Sequence, residues 1–159
     1  MNSLGVLDVE MIQQLNIDGL GETTKRNVLR VMDNLEKEGY IKSIRHGVKL
    51  FMLPDYKLTY IDHRLMINRF IVNNGYNKVA RIEPTVKING EQFKPDFMIP
   101  KVQNPKLATD WKYFEVDRKQ KKKTNMQKIQ RYKDFGLQFE VVCGIERTYM
   151  WKGYVYHVV

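Results

Sequence analysis

Two stretches of helical spacing followed at once by a β-hairpin signal constrain the front of this chain more than any other feature. In DVEMIQQL (residues 8–15), Val9, Ile12 and Leu15 recur at helical spacing behind an acidic start. A glycine-bearing link, NIDGLG, leads into ETTKRNVLRVMDNLEKEGY. There Val28, Val31/Met32 and Leu35 form a second apolar stripe, with Thr23 as the expected N-cap and Gly39 as the stop. Two short runs of strand character, YIKSIR and VKLFML, then flank His46-Gly47, a pair suited to a two-residue turn.

Helix, short turn, helix and hairpin is the order of a winged helix-turn-helix, with the second helix as the reader of a major groove and the hairpin as the wing. Opposite its apolar stripe that helix shows Thr24, Lys25, Asn27 and Arg30, side-chain types that contact phosphates or base edges. Arg45 on the hairpin adds a basic contact. Almost nothing precedes the first helix, so the leading helix usual in such domains is expected from elsewhere in the fold or from a partner. The alternative is a helical hairpin with an ordinary solvated polar face.

After Pro54-Asp55 the pattern changes, which places one domain at 1–55 and a second at 56–159. Leu65, Met66, Phe70 and Ile71 or Val72 predict a helix over 62–74 that ends near Gly75 and opens the second domain. KVARIEPTVKI, QFKPDFMIP and WKYFEVD read as three strands, with turns at Asn89-Gly90 and in PKVQNPKLAT. Helical spacing returns in TNMQKIQRYKDF through Met126, Ile129 and Tyr132/Lys133. LQFEVVCGI follows as a buried strand, and TYMWKGYVYHVV as a hairpin around Lys152-Gly153.

Alternate residues of a strand share a face. In QFKPDFMIP, Phe93, Phe97 and Ile99 point one way while Lys94, Asp96 and Met98 point the other; in WKYFEVD, Tyr113, Glu115 and Asp117 oppose Phe114 and Val116. If the strands are neighbours, the apolar residues make a core face, and Asp96, Glu115 and Asp117 cluster on the opposite one. Three close carboxylates repel unless a cation or a proton relieves them, so the group is a candidate Mg²⁺ or Mn²⁺ site. A divalent ion held this way activates water and neutralises phosphate, as phosphodiester hydrolysis requires. The alternative is a salt-linked polar sheet face with no metal.

The order helix, three strands, helix, strand, with Pro95-Asp96 on the second strand and Glu115 on the third, resembles the PD-(D/E)xK nuclease superfamily. That resemblance implies Asp96 and Glu115 as metal ligands. It also implies a lysine two positions after the Glu, where this chain has Asp117; Lys94, Arg118 or Lys119 would have to stand in. The chain is similar over most of its length to the replication-relaxation family of plasmids and other mobile elements. Pro95-Asp96, Glu115-Val116-Asp117-Arg118 and Lys128-Ile129-Gln130-Arg131-Tyr132 carry that similarity. It implies a DNA-binding protein of plasmid or phage replication, transfer or control, whose nuclease-like domain is not necessarily catalytic.

Charge distribution agrees with a nucleic-acid partner. The net charge is +9, yet residues 1–53 balance seven acidic against seven basic side chains, so the excess lies beyond them. Between Arg118 and Lys133 there are eight basic residues and no acid, and Arg118, Lys119, Lys121, Lys122, Lys123, Lys128 and Arg131 are the expected backbone contacts there. His46, His63 and His157 are scattered without metal-ligand spacing, and Tyr149, Trp151, Tyr154 and Tyr156 alternate as core and sheet-surface residues. The opening residues carry no signal-peptide pattern, no apolar run is long enough to span a bilayer, and the single cysteine, Cys143, fits a reducing compartment; a cytoplasmic location without membrane association is expected.

The expected fold is therefore α+β: an N-terminal winged helix-turn-helix followed by a restriction-endonuclease-like α/β domain with a mixed central sheet. Three functions follow in order. The first is a double-stranded-DNA-binding protein with a non-catalytic nuclease-like domain, acting as a homodimer or with a replication or transfer protein. The second is a Mg²⁺- or Mn²⁺-dependent endonuclease using Asp96 and Glu115, assisted by Asp117 and Lys94. The third is a protein-interaction module.

Overall fold

The computed structural model describes residues 4–15, 24–57, 60–118, 122–144 (without the Lys122 side chain) and 151–159. The chain is α+β and divides into two compact units, with the boundary between residues 77 and 78. Among the described residues no helix is long and apolar enough to cross a membrane.

The first unit runs β1 (Val6–Asp8), α1 (Val9–Gln14), α2 (Lys25–Lys37), β2 (Lys42–His46), β3 (Val48–Met52), α3 (Ile61–Asn73). Asp8 ends β1 and caps α1, its carboxylate accepting the Met11 N–H at 2.9 Å. The cap of α2 is Thr24, whose hydroxyl accepts from the Asn27 N–H at 3.3 Å, one residue after the expected Thr23, which lies outside the described residues. Gly39 closes α2 with a φ of +79°, a left-handed turn that costs glycine nothing. The hairpin forms as expected but turns more tightly: His46 pairs with Val48, leaving Gly47 alone at the tip.

Two features depart from expectation. Val6–Asp8 is a strand that pairs antiparallel with β3, so the sheet order is β1-β3-β2. And α3, expected to open the second domain, packs with β1 and α1 of the first unit. Its Leu65 and Val72 share a core with Val6, Met11, Leu50 and Met52. Its buried Asn68 donates to the carbonyls of Leu4 and Val6, both at 2.6 Å, and Arg69 reaches Asp8 at 3.1 Å. The boundary thus falls after α3 rather than at residue 55. Ile12, Val28 and Phe51 make a second cluster that fixes α1 and α2 on the sheet.

The second unit contains β4 (Arg81–Ile82), β5 (Val86–Ile88), β6 (Glu91–Phe93), β7 (Phe97–Pro100), β8 (Trp111–Asp117), α4 (Lys122–Asp134), β9 (Phe139–Cys143) and β10 (Tyr156–Val158). Its central sheet is mixed, in the order β10-β9-β8-β7-β4. β8, β9 and β10 run parallel to one another, whereas β7 is antiparallel to β8 and β4 to β7.

The first two long strands expected here are each broken in two. Pro84 and Pro95 fall between the pieces, where a missing N–H ends a ladder. β5 and β6 then form a separate hairpin around Asn89-Gly90, with φ of +51° and +84°. Nor is the C-terminal segment an antiparallel hairpin among the described residues. After a turn through Gly153, β10 lies parallel beside β9.

Helix α4 covers one face of this sheet. Ile129 and Tyr132 pack there with Phe93, Met98, Tyr113, Phe139, Val141 and Trp151. Phe97 and Phe114 stack at 4.5 Å and are also buried. Phe93 therefore does not share a face with Phe97, as unbroken alternation would require; the Lys94-Pro95 break resets it.

Candidate functional site

Register alone brings the first two carboxylates together. Phe97 is paired with Phe114, so the next positions outward, Asp96 and Glu115, meet on the alternate face. That face is not an open polar surface, as expected from the alternation, but the core face beneath α4. Glu115 and Asp117 are buried beside Tyr113, and Asp96 is half-buried. The reason is that Lys128 and Tyr132, one helical turn apart, come down from α4 onto the carboxylates.

Glu115 has both oxygens engaged. Its Oε1 accepts from the Tyr132 hydroxyl at 2.8 Å, and its Oε2 is in direct contact with the Lys128 ammonium. The same ammonium reaches Asp96 Oδ2 at 3.3 Å. Asp96 Oδ2 also accepts the Val116 N–H at 2.7 Å, which anchors the loop end of β7 to β8. The Lys128 side chain retains 26% of its exposure, Asp96 15% and Glu115 4%, so the cluster meets solvent mostly at its lysine edge and buries Glu115 deepest.

One ammonium cannot balance two carboxylates, and the deeper one yields. Burial, with the Asp96 charge adding to it, pushes the Glu115 carboxyl up to about 8. Burial opposes the Lys128 charge, but Glu115 and Asp96 outweigh it and hold the ammonium above its usual value. Burial and the adjacent Glu115 push the Tyr132 phenol up as well, so Tyr132 is a donor here.

Asp117 lies on the same face and has partners of its own. Its Oδ2 accepts from the Trp151 indole at 2.7 Å and from Asn125 Nδ2 at 3.4 Å, which ties β8 to the C-terminal segment and to α4. Lys94 is exposed, and the amine that reaches the carboxylates comes from Lys128 instead. Tyr132, Asn125 and Trp151 were not expected as partners of the acids. The readable signal was the spacing Asn125, Lys128, Tyr132, a single stripe of α4 facing the carboxylate strand.

In this arrangement the Lys128 ammonium stands between Asp96 and Glu115, where a divalent ion would bind. Asp96 Oδ2 and both Glu115 oxygens already accept from Lys128, Val116 or Tyr132. Among the described residues no three His, Cys, Asp or Glu side chains are grouped to hold a metal. A cleft of about 370 Å³ lies next to the site rather than in it, lined by Lys101, Lys112, Lys133, Phe139, Glu140 and Tyr154, with Tyr132 in its wall.

The expected DNA contacts fall on both units. Thr24, Lys25, Asn27 and Arg30 are exposed on α2, and Arg45 on β2. Thr24 is committed to its cap, and Lys25 pairs with Glu10 at 2.8 Å across exposed surface. A shallow groove along α2 is lined by Arg26, Asn27, Leu29, Arg30, Asp33, Asn34 and Lys37, adding Arg26 and Lys37 to the expected set; its one acid, Asp33, pairs with Lys49 at 2.7 Å. In the second unit Arg118, Lys123 and Arg131 are exposed, while Lys128 is drawn into the carboxylate cluster. Lys119 and Lys121 lie outside the described residues, as does the side chain of Lys122, which begins α4.

The chain matches no family model, no curated protein and no solved structure.

Proposed function

We propose that this chain is a double-stranded-DNA-binding protein whose first unit is a winged helix-turn-helix and whose second unit is a nuclease-like domain without catalytic activity. The observation that carries the reading is the first unit's connectivity. A strand precedes two helices and a hairpin, and it pairs beside β3 to give the order β1-β3-β2. With α3 packed on β1 and α1, the missing leading helix has a substitute from later in the chain. In that frame α2 is the reading helix. Its apolar side buries Val28, and Arg26, Asn27 and Arg30 line the opposite groove.

Charge supports a polyanionic partner. Residues 78–159 carry seventeen basic against nine acidic side chains, and the exposed Arg118, Lys123 and Arg131 belong to that excess. A role in the replication, transfer or control of a plasmid, phage or other mobile element is the setting implied by the similarity to the replication-relaxation family.

The test is duplex binding by gel shift or fluorescence anisotropy at rising salt. Six phosphate contacts would cost affinity about 10³-fold between roughly 50 and 200 mM salt. Arg30→Ala and Asn27→Ala are expected to weaken binding. Salt-independent or undetectable binding would favour a protein-interaction module instead.

A second reading, a Mg²⁺- or Mn²⁺-dependent endonuclease, is favoured by one observation: Asp96 and Glu115 converge next to an amine. DNA cleavage that disappears in both Asp96→Ala and Glu115→Ala would establish it over the non-catalytic reading.

A further inference from the structure

We propose that the Lys128 ammonium is the resident cation of the Asp96–Glu115 site and that it keeps divalent metal out. The inference concerns the second unit alone and holds whether or not α2 binds DNA.

The carboxylate oxygens nearest the site are already engaged by other partners. A hard divalent cation such as Mg²⁺ takes about six oxygens in a near-octahedral shell and binds through carboxylates whose lone pairs are open to it. Glu115 has each oxygen engaged: Oε1 accepts from the Tyr132 hydroxyl and Oε2 contacts Lys128. Asp96 Oδ2 is shared between the Val116 N–H at 2.7 Å and Lys128 at 3.3 Å. The third carboxylate of the face, Asp117, is turned to Trp151 and Asn125.

For a metal to enter, Lys128 would have to leave both acids. A displaced ammonium would leave two good acceptors for a position beside a doubly charged ion. Like charges at such separation repel strongly where water is scarce. The ammonium thus takes the place a metal would take, countering the Asp96 charge beside the Glu115 carboxyl. It differs in one respect: it is covalently tethered, so it cannot be exchanged or chelated away.

The separation of roles along α4 agrees with this. Lys128 and Tyr132 face inward, whereas Lys123 and Arg131 remain exposed. A helix that needed Lys128 only as a surface phosphate contact would not sink it to a quarter of its exposure between two carboxylates.

The test is Mn²⁺ binding, read by electron paramagnetic resonance of free Mn²⁺ and by calorimetry. Wild-type protein in millimolar Mn²⁺ is expected to bind none at this site. Lys128→Met keeps most of the stem and removes the charge; it is expected to bind one Mn²⁺ per chain, at least about tenfold more tightly than wild type. Adding Glu115→Gln to Lys128→Met should abolish that binding. A wild-type Mn²⁺ site lost in Glu115→Gln would overturn the proposal, and so would a folded Lys128→Met protein that binds no more Mn²⁺ than wild type.

Should Lys128→Met fail to fold, amine labelling of the wild type decides. Lys128 is expected to react more slowly than Lys123, at a rate that Mn²⁺ does not change. A Mn²⁺-dependent rise in Lys128 labelling would show the ammonium displaced and the proposal wrong.

Discussion

The groove along α2 and the face of β8 beneath α4 use the same side-chain types for opposite ends. On α2, Arg26, Asn27 and Arg30 stand in solvent, and the Lys25–Glu10 pair is exposed on both sides. Such groups contribute little to stability, because water already solvates them. They are available to a partner for the same reason. Under α4, Lys128, Glu115, Asp96 and Asp117 have left water and are bound to one another or to Tyr132, Asn125 and Trp151. There each lost partner strands a desolvated group. The comparison predicts that substitutions below α4 act on folding, whereas substitutions on α2 act on binding.

The largest test is one of pH. Glu115 has its carboxyl pushed from an ordinary value near 4.5 up to about 8. A raised carboxyl favours folding while it is protonated. Its contribution is fully present below about 4.5 and is lost as pH rises through about 8. At about 1.4 kcal/mol per unit of pKa change, the loss across that window is on the order of 3–4 kcal/mol. Wild-type stability from urea denaturation should therefore fall between pH 5 and pH 8. Glu115→Gln, which cannot titrate, should show a flatter profile in the same window. Parallel profiles would mean that Glu115 is ionised throughout, and the buried cluster would behave like the exposed surface.

Asp117→Ala comes next. It removes the buried acceptor of the Trp151 indole and of Asn125, and Asn125 already has its Oδ1 buried without a partner among the described residues. Unsatisfied buried donors cost about 1–3 kcal/mol, so a loss of roughly 2–3 kcal/mol is expected, with a red shift of tryptophan emission. If Asp117 were instead a spare nuclease acid facing solvent, the same change would leave stability within about half a kcal/mol.

Lys128→Ala should cost somewhat less, about 2 kcal/mol. Removing one partner of a fully buried pair costs about 3–5 kcal/mol, and the lysine edge of this cluster is partly wet. Thermal or urea unfolding would check it. Lys128→Met, which keeps the stem, should lose less than Lys128→Ala.

What the residues made legible follows the same division between local and distant causes. Gly39 after the α2 stripe, Gly47 between two apolar runs and Asn89-Gly90 are local signals, and each marks an element end or a turn in the structure, while the cap of α2 is Thr24 rather than the expected Thr23. Asp96 and Glu115 could be paired because strand alternation is also local. Pro84 and Pro95 are local signals too: each removes the N–H that a continuous ladder needs, and this outweighs the strand character of the residues around it. The packing of α3 could not be read in this way. An apolar stripe says that a helix buries a face but not against which unit, and Asn68, whose amide selects β1, looks polar in the sequence. Val6–Asp8 is too short to show a period. Lys128 was hidden for the opposite reason: within a basic run it resembles its neighbours, and only the turn spacing to Tyr132 distinguishes it.

The smallest expected effect on folding, and the one that sharpens the comparison most, is at Arg30. It is exposed on α2 with no hydrogen bond or ion pair given to it by the described structure. Arg30→Ala should leave unfolding free energy unchanged within about half a kcal/mol. If α2 reads duplex DNA, the same change should weaken binding about tenfold or more, since a bidentate base contact carries roughly 1–3 kcal/mol. Contact with phosphate alone would instead lower affinity similarly for every sequence and reduce the salt dependence by about one ion. Asn27→Ala separates these outcomes further, because a neutral amide contributes base readout but little to the salt slope. A pair of variants with native stability, one altering the slope and the other only the sequence preference, would place the reading surface on α2. Loss of stability in Arg30→Ala would show that the exposed helix face is braced after all and that the contrast with the buried cluster is overdrawn.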